Sequence, residues 1–596
     1  MQNEHTQKVV KNILKKRTLK SEENSGNREK KSQSDLLLEI VEKDTRIRLF
    51  HDDLKESYVQ FPVKNHLEIW KCRSKAFKQW LAKIYWETHK KAPNSDALNT
   101  ALNVIEAKAI FDSPQHKLWN RVAWHEDVLW YDLCNEEWQA VRISEEGWSI
   151  FNTPPILFKR HNHQQAQVLP ASEGNFNLLL EFININDDDH KLILLVWIVS
   201  CFIPDFPHPI PFIYGAQGSA KSTLSRILRK LIDPSVLETS GFPKNIAELV
   251  QQLSHHWCII FDNISQMPEW ISDEFCKAVT GGGFSKRELY TDDDDIMFSF
   301  KRCIGINGIN LVATKPDLME RGILFELHRI SPENRMQEKE LWKKFDSLRP
   351  QLLSGIFHAL SHVLRIKNTI SIAEPPRMAD FSLWGCAIAE ALEYTQEAFL
   401  SAYSKNIKSQ NEEVLYENVV AICVVTLLEE RDEWEGTPSE LLDIFRRIAE
   451  EKSIDPKDPN FPKAANALSA KLNQLKTNLA EEGISIQKFE EKRKRVIRIQ
   501  KIKKKTVETD VSLHATAENG KTSNDTSIDH SKESPPISIP SESTSSLPCT
   551  DDNDGDDENH SLLEGNTPAT LKDFENIFGA KAKPISPHIS NEKLPF

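Results

Sequence analysis

The stretch GAQGSAKST, residues 215–223, decides how the rest of the chain is read. It departs from the phosphate-loop pattern G-x-x-x-x-G-K-[ST] in two ways: Ala220 stands before the lysine, and the second glycine, Gly218, lies two places upstream. Such a loop works because successive backbone N–H groups, a helix N-terminus and one lysine converge on phosphate oxygens, while the hydroxyl beside the lysine ligates magnesium. On this reading Gly215, Gly218, Ser219, Ala220, Lys221, Ser222 and Thr223 form the nucleotide cradle. Gly215 makes the turn, Lys221 reaches the β and γ phosphates of ATP, Ser222 is the Mg2+ ligand, and Thr223 lies behind it. Ala220 is expected to keep a negative φ, since a helix begins there, with Gly218 supplying the unusual backbone.

The flanks agree with a strand, loop and helix. PFIY is a short apolar strand and STLSRILRKLI an amphipathic helix. WCIIF at 257–261 is a second buried strand, ending in Asp262, and KRCIGI at 301–306 a third, ending in Asn307. Parallel strands that each present a polar residue at the C-terminal end describe a doubly wound nucleotide domain. Asp262 is then the acid that holds the metal through water. Asn263 follows where a glutamate would polarise the attacking water; an amide orients water but cannot take its proton, so hydrolysis is slow or another carboxylate, Asp273 or Glu274, is the base. Asn307 is placed to contact the γ-phosphate or the water. Arg321, in KPDLMERGILFEL, is placed to act in trans on a neighbour's nucleotide, the plainer reading being a salt bridge with Glu320 or Glu326.

The 596 residues exceed one core, and a mean hydropathy of −0.47 fits a globular protein carrying some disordered sequence. The longest apolar run, LILLVWIVSCFI at 192–203, falls short of the roughly 18 residues of a membrane span and reads as a buried helix. No secretory signal opens the chain, so a cytoplasmic protein is expected, and nine scattered cysteines without C-x-x-C pairs read as reduced thiols. HNH at 161–163 and HH at 255–256 lack the cysteine or carboxylate partners of a zinc site.

Patterning divides the chain into a mobile arm (1–33), a small α+β domain (34–189), the nucleotide domain (190–335), a helical subdomain (336–410), a DNA-binding domain (411–505) and a disordered acidic tail (506–596). The aromatic stretch at 121–160 reads as a small antiparallel sheet whose rings form a core rather than a stacking surface for bases. The net charge of −13 is unevenly spread: DDNDGDDE at 551–558 is acidic, while KFEEKRKRVIRIQKIKKKT at 488–506 carries ten basic side chains. A polyanion meets the local field within a Debye length of about 8 to 10 Å, so that patch suits DNA despite the overall charge.

Taken in order, GAQGSAKST, CIIFDN, AVTGGGFSKRELY, CIGINGI and PDLMERGILFEL resemble the AAA+ ATPase domain of superfamily 3 helicases, as found in phage and plasmid primases and related mobile-element ATP-binding proteins. The shifted glycine resembles the loop of minichromosome maintenance helicases. LFHDDLKESYV, RVAWHEDVLWYDL, GWSIFNTPPILFKR and PPRMADFSLWG extend the likeness over about Ser34 to Ile499. The resemblance implies a homo-oligomeric ring, often a hexamer, that moves on DNA with ATP and Mg2+ in the replication of a mobile element. It also implies a channel hairpin at GGGFSKRELYTDDDD, with Lys286 and Arg287 on phosphate. The C-terminal unit resembles a winged helix, with Ala464 to Leu479 as the reading helix and 486–499 as the wing, so that Arg493, Lys494, Arg495 and Arg498 meet DNA. No primase motif is present in the N-terminal unit. The expected function is an ATP-dependent DNA helicase or translocase; the alternatives are a DNA-bound ATPase that switches or loads other proteins without unwinding, and a non-enzymatic nucleotide-binding regulator. The segment TLKDFENIFG at 570–579 is expected to recruit a replication partner or leave the basic patch to be shielded by the acidic tail.

Overall fold

The computed structural model describes residues 31–502 except 288–294, 300, 312–314, 456–460 and 492–493; the arm, the acidic tail with TLKDFENIFG, and Arg493 lie outside the described residues. The chain divides into two units, 1–507 and 508–596, and all that follows concerns the first.

The span read as one N-terminal domain holds two cores. Helix α1 (Gln33–Lys43) begins at a capping box in which Ser32 and Asp35 each bond the other's backbone. It packs with α2 (Lys75–His89) and α3 (Ser95–Phe111) on an antiparallel sheet of β1 (Arg48–His51), β2 (Ser57–Val63) and β3 (His66–Lys71), around Leu37, Val59, Phe61, Phe77 and Ile105. After a short parallel pair, β4 (Leu118–Trp119) with β9 (Leu157–Phe158), comes a second antiparallel sheet: β5 (Val122–His125), β6 (Val128–Asp132), β7 (Ala140–Ser144) and β8 (Gly147–Phe151). Trp130 and Tyr131 on β6 are buried, which removes them from any surface that bases could reach. Tyr131, Val141 and Ile143 belong to the same core as the sheet that follows.

That following sheet is parallel, in the order β11-β14-β10-β15, from β10 (Ile210–Tyr214), β11 (Cys258–Ile264), β14 (Cys303–Gly308) and β15 (Gly322–Glu326). Its strands are apolar throughout because helices cover both faces. Helix α4 (Asp188–Ser200), capped by Asp187, is buried along its length from Leu192 to Ser200, which explains the apolar run at 192–203. Helix α5 (Lys221–Ile232) follows β10, α6 (Ile246–His255) precedes β11, and α7 (Glu269–Thr280) follows it. Between α7 and β14 lies an antiparallel hairpin, β12 (Gly283–Arg287) with β13 (Asp295–Ser299). A one-turn helix, α8 (Pro316–Met319), leads into β15.

The two sheets are tied by a buried ion network. Arg121 Nε donates to Asp233 Oδ1 at 2.9 Å, Arg229 Nη1 donates to Asp233 Oδ2 at 2.8 Å, and the Trp257 N–H reaches Asp233 Oδ2 at 3.0 Å. Arg121 and Asp233 have no solvent exposure, so each charge depends on the others for compensation.

Beyond the parallel sheet the chain is helical: α9 (Glu338–Ile366), α10 (Ala379–Ala391), α11 (Gln396–Glu417) and α12 (Val419–Glu429). The last part combines β16 (Glu433–Gly436), α13 (Pro438–Glu451), α14 (Ala465–Glu481) and the hairpin β17 (Ile484–Glu491) with β18 (Lys494–Lys501), in the sheet order β16-β18-β17. Helix α13 starts at a capping box of Thr437 and Glu440 with Pro438 at its first position. Among the described residues no helix is long and apolar enough to cross a membrane.

Candidate functional site

The loop 215–220 runs from the C-terminal end of β10 into the N-terminus of α5. Three residues in it take positive φ: Gly215 at 140°, Gly218 at 78° and Ala220 at 65°. The expectation of a negative φ at Ala220 is therefore corrected. The turn that aims the first N–H groups of α5 needs the left-handed region at this place, and Ala220 adopts it at a cost of about 1 to 2 kcal/mol. Gly215 is required for space, because a Cβ there would lie 2.1 Å from Leu327 O. At Gly218 nothing crowds the loop; the nearest atom to an added Cβ is Arg329 Cγ at 4.0 Å.

Within the loop Lys221 Nζ donates to the carbonyls of Gly215 at 2.8 Å and Ala216 at 2.9 Å, so the ammonium arches over the concave side. Partial burial holds its pKa below the usual lysine value. Ser222 Oγ donates to Asp262 Oδ1 at 3.1 Å, which brings the two predicted metal ligands together. Ser219 is buried, and its carbonyl accepts from Asn184 Nδ2 at 3.0 Å, while the same amide reaches His328 O at 2.6 Å. Thr223 is half-buried on the first turn of α5. These donors fit a nucleotide phosphate with a divalent cation: a lysine folded over main-chain carbonyls, a hydroxyl beside a carboxylate, and a helix N-terminus whose first residue has no side-chain cap.

Asp262 and Asn263 lie at a register shift between β11 and β14. Asn263 takes φ 58°, a region asparagine tolerates better than most residues. Its N–H donates to Asn307 Oδ1 at 2.9 Å, and Asn307 Nδ2 donates to Ser225 Oγ at 2.6 Å. Asn307 is buried with both ends of its amide engaged, so it braces the bulge from the neighbouring strand. Of the two acids offered as a base, Asp273 is paired with Lys315 at 2.9 Å and Glu274 with Lys277 at 2.8 Å.

Arg321 is not brought to this cluster. β15 pairs with β10 so that Gly322 faces Ile210 and Glu326 faces Tyr214. Arg321 therefore stands at the opposite end of the sheet from the loop, four residue steps or about 13 Å along the strand. It is paired within the chain, but with neither Glu320 nor Glu326: its Nη1 meets Asp317 Oδ1 at 2.5 Å, one helical turn before it.

Of the residues assigned to DNA, Lys286 and Arg287 lie on β12, where they pair with Ile296 and Asp295 of β13. Lys494 and Arg495 open β18 and are exposed. Arg498 is already engaged, with Glu435 at 2.7 Å and Glu433 at 3.1 Å on β16. Lys488 on β17 clasps α14 through Ser469 O and Asn473 Oδ1, both at 2.6 Å.

Residues that the sequence did not single out for the site are Asn184, Ser225, Arg329 and Arg377. Only Arg377 lay in a quoted motif, PPRMADFSLWG. The four histidines of HNH and HH do converge, with ring centroids of His161 and His255 at 4.3 Å and of His163 and His256 at 4.0 Å. Among the described residues no group of three or more His, Cys, Asp or Glu is arranged to hold a metal.

Residues 176–413 match the family model of the actinomycete integrative conjugative element replication protein RepA, and residues 420–517 match the model of the RepA C-terminal domain. The chain matches a mobile-element replication-protein family. The first match covers the parallel sheet with the loop 215–220, Asp262, Asn307 and Arg321; the second covers α13, α14 and the basic hairpin. Similar solved structures include the apo NrS-1 C-terminal region (305–718), at 14% identity over 79% of this chain and 100% of that one, TM-score 0.35. The A form of that apo region follows at 12% identity, with the same coverage and a TM-score of 0.34. The JCV helicase bound to an acetamide compound matches at 13% identity over 39% of this chain and 64% of that one, TM-score 0.21. No curated protein matches the chain.

Proposed function

We propose that this replication protein is an ATP- and Mg2+-dependent DNA helicase or translocase, with an AAA+ type phosphate-loop core and a winged-helix DNA-binding unit. The observation that carries the reading is the contact of Ser222 with Asp262 at 3.1 Å beside a lysine arched over its own loop. A hydroxyl and a carboxylate from the ends of adjoining elements are what a nucleotide-bound magnesium ion needs, and that ion would neutralise charge on the phosphates and shape them for in-line attack. The chain's own part is to hold phosphate oxygens with Lys221 and the first N–H groups of α5, and to orient a water through Asn263 on the brace of Asn307. Arg321, too far from its own loop, acts on the nucleotide of an adjacent subunit in a ring, and the β12–β13 hairpin and the exposed Lys494 and Arg495 meet DNA phosphates.

A second reading, a DNA-bound ATPase switch that does not unwind, is favoured by one observation. No carboxylate follows Asp262, and the two nearby acids offered as a base are tied to Lys315 and Lys277. Strand displacement with ATP, comparing the full chain with Lys221→Ala, separates the readings. Displacement lost in the variant supports the motor; DNA-stimulated ATP turnover without displacement supports the switch; equal turnover in both proteins refutes the site.

A further inference from the structure

Arg321 is withdrawn in this structure. Its side chain is 17% exposed, and Nη1 meets Asp317 at both the backbone carbonyl and carboxylate Oδ1, each at 2.5 Å. A second guanidinium reaches the same oxygen: Arg377 Nη2 lies 2.6 Å from Asp317 Oδ1. Arg377 is also ion-paired with Glu320, the residue immediately before Arg321. It comes from the segment entering α10, 56 positions along the chain from Arg321 by their numbering, and both side chains line one cavity of about 210 Å³ with Pro207, Thr280 and Met378.

We propose that Arg377 is a positioning residue for Arg321, competing with it for Asp317 and so setting how readily Arg321 leaves that carboxylate. The inference rests on the trans role given to Arg321 above. Two guanidiniums on one carboxylate oxygen divide its attraction, so Arg321 is held less firmly than it would be by Asp317 alone. Glu320 keeps Arg377 in place when Arg321 departs, and Arg377 then takes over Asp317, which is never left as an unpaired charge. Arg377 is 45% exposed against 17% for Arg321, so it is the partner that adjusts at little cost. Removing Arg377 gives Asp317 wholly to Arg321 and leaves that arginine withdrawn. Lysine at 377 offers a point charge without the fork that spans Asp317 and Glu320, and it replaces arginine only in part.

The test is steady-state ATP turnover of the full chain with DNA, in a double-mutant cycle. Arg377→Ala is expected to lower kcat by about tenfold with KM for ATP unchanged, because the variant's own loop is intact. Arg377→Lys is expected in between, and adding Asp317→Asn to Arg377→Ala is expected to recover most of the loss, since the amide no longer holds Arg321. Nucleotide binding and melting temperature report folding, and Arg377→Gln serves if the alanine variant is unstable. A double variant no more active than Arg377→Ala overturns the proposal in favour of a merely structural role, as does an unchanged kcat in Arg377→Ala while Arg321→Ala is inactive. Arg321→Ala at wild-type turnover overturns the trans reading, and this inference with it.

Discussion

Asn307 fixes the backbone of Asn263 across two strands, accepting its N–H at 2.9 Å while donating to Ser225 on α5 at 2.6 Å. One buried amide thus links the end of β14, the bulge after Asp262 and the helix that carries Lys221. Asn307→Ala removes both bonds and leaves a backbone donor and a hydroxyl to find other partners. The expected cost is about 1 to 3 kcal/mol in chemical denaturation. ATP turnover is expected to fall at least tenfold while nucleotide affinity changes little, because the phosphate-holding donors of the loop stay in place. Equal losses in affinity and turnover would show that Asn307 supports the loop as a whole rather than the bulge.

Ala220 sits at φ 65° where glycine has no steric penalty. Ala220→Gly is expected to raise stability, the relief of left-handed strain of about 1 to 2 kcal/mol being partly offset by the greater freedom of glycine in the unfolded chain. Calorimetry checks the sign. A fall in melting temperature would mean that the methyl group packs well enough to outweigh the strain.

The position of that strain shows what a sequence can and cannot convey. The alternation of apolar runs with polar ends at Asp262 and Asn307 announced the parallel strands, because strands buried on both faces must be apolar until they reach the site. The same logic placed α4, the 121–160 sheet and the terminal hairpin. Ala220 misled because alanine carries no mark of a left-handed backbone; the tertiary demand of the turn overrode its preference. The partner of Arg321 was missed because Asp317 becomes a neighbour only once α8 forms its single turn. Arg377 was invisible as a site residue, since only the return of the chain at α10 brings it beside Asp317. The catalytic assignments themselves rest on proximity that the experiments above must test.

The histidine cluster gives the protein an acid-sensitive joint between the 121–160 sheet and the parallel sheet. Burial, then the neighbouring histidines and cations, pushes His161 down to about 2; burial pushes His163 down to about 4 and, with Arg229 next, His256 down to about 3. Each folded-state value lies below the ordinary 6.5, so the unfolded chain takes up these protons first. Stability is then complete above about pH 6.5 and declines as pH falls from there toward 4. Melting temperature measured from pH 7.5 to 4.5 is expected to drop, with a shallower slope in His161→Gln. An identical slope in that variant would assign the acid sensitivity to other groups.

On the basic hairpin the structure separates side chains that the sequence grouped. Lys494 and Arg495 are exposed, whereas Arg498 is held by Glu433 and Glu435. Lys494→Ala with Arg495→Ala is expected to weaken DNA binding and to reduce the slope of log affinity against log salt by about 2, at roughly 0.9 per phosphate contact. Arg498→Ala is expected to change the slope by less than half of that. Fluorescence anisotropy across a salt series measures both, and a larger effect from Arg498 would mean that DNA displaces the β16 carboxylates.

The contact between Arg121 and Asp233 also sets where this protein can be divided. Asp233 closes the helix that begins at the phosphate loop, yet one of its two compensating cations comes from the sheet at 122–151. A fragment beginning near residue 190 would keep every motif of the parallel sheet and still leave that carboxylate short of a partner, at a cost on the order of 3 to 5 kcal/mol. The first helices and the β1–β3 sheet, with a core of their own, carry no such debt. The separable module is therefore marked by where charges are shared, near residue 112, and the motif boundaries fall inside what must stay together.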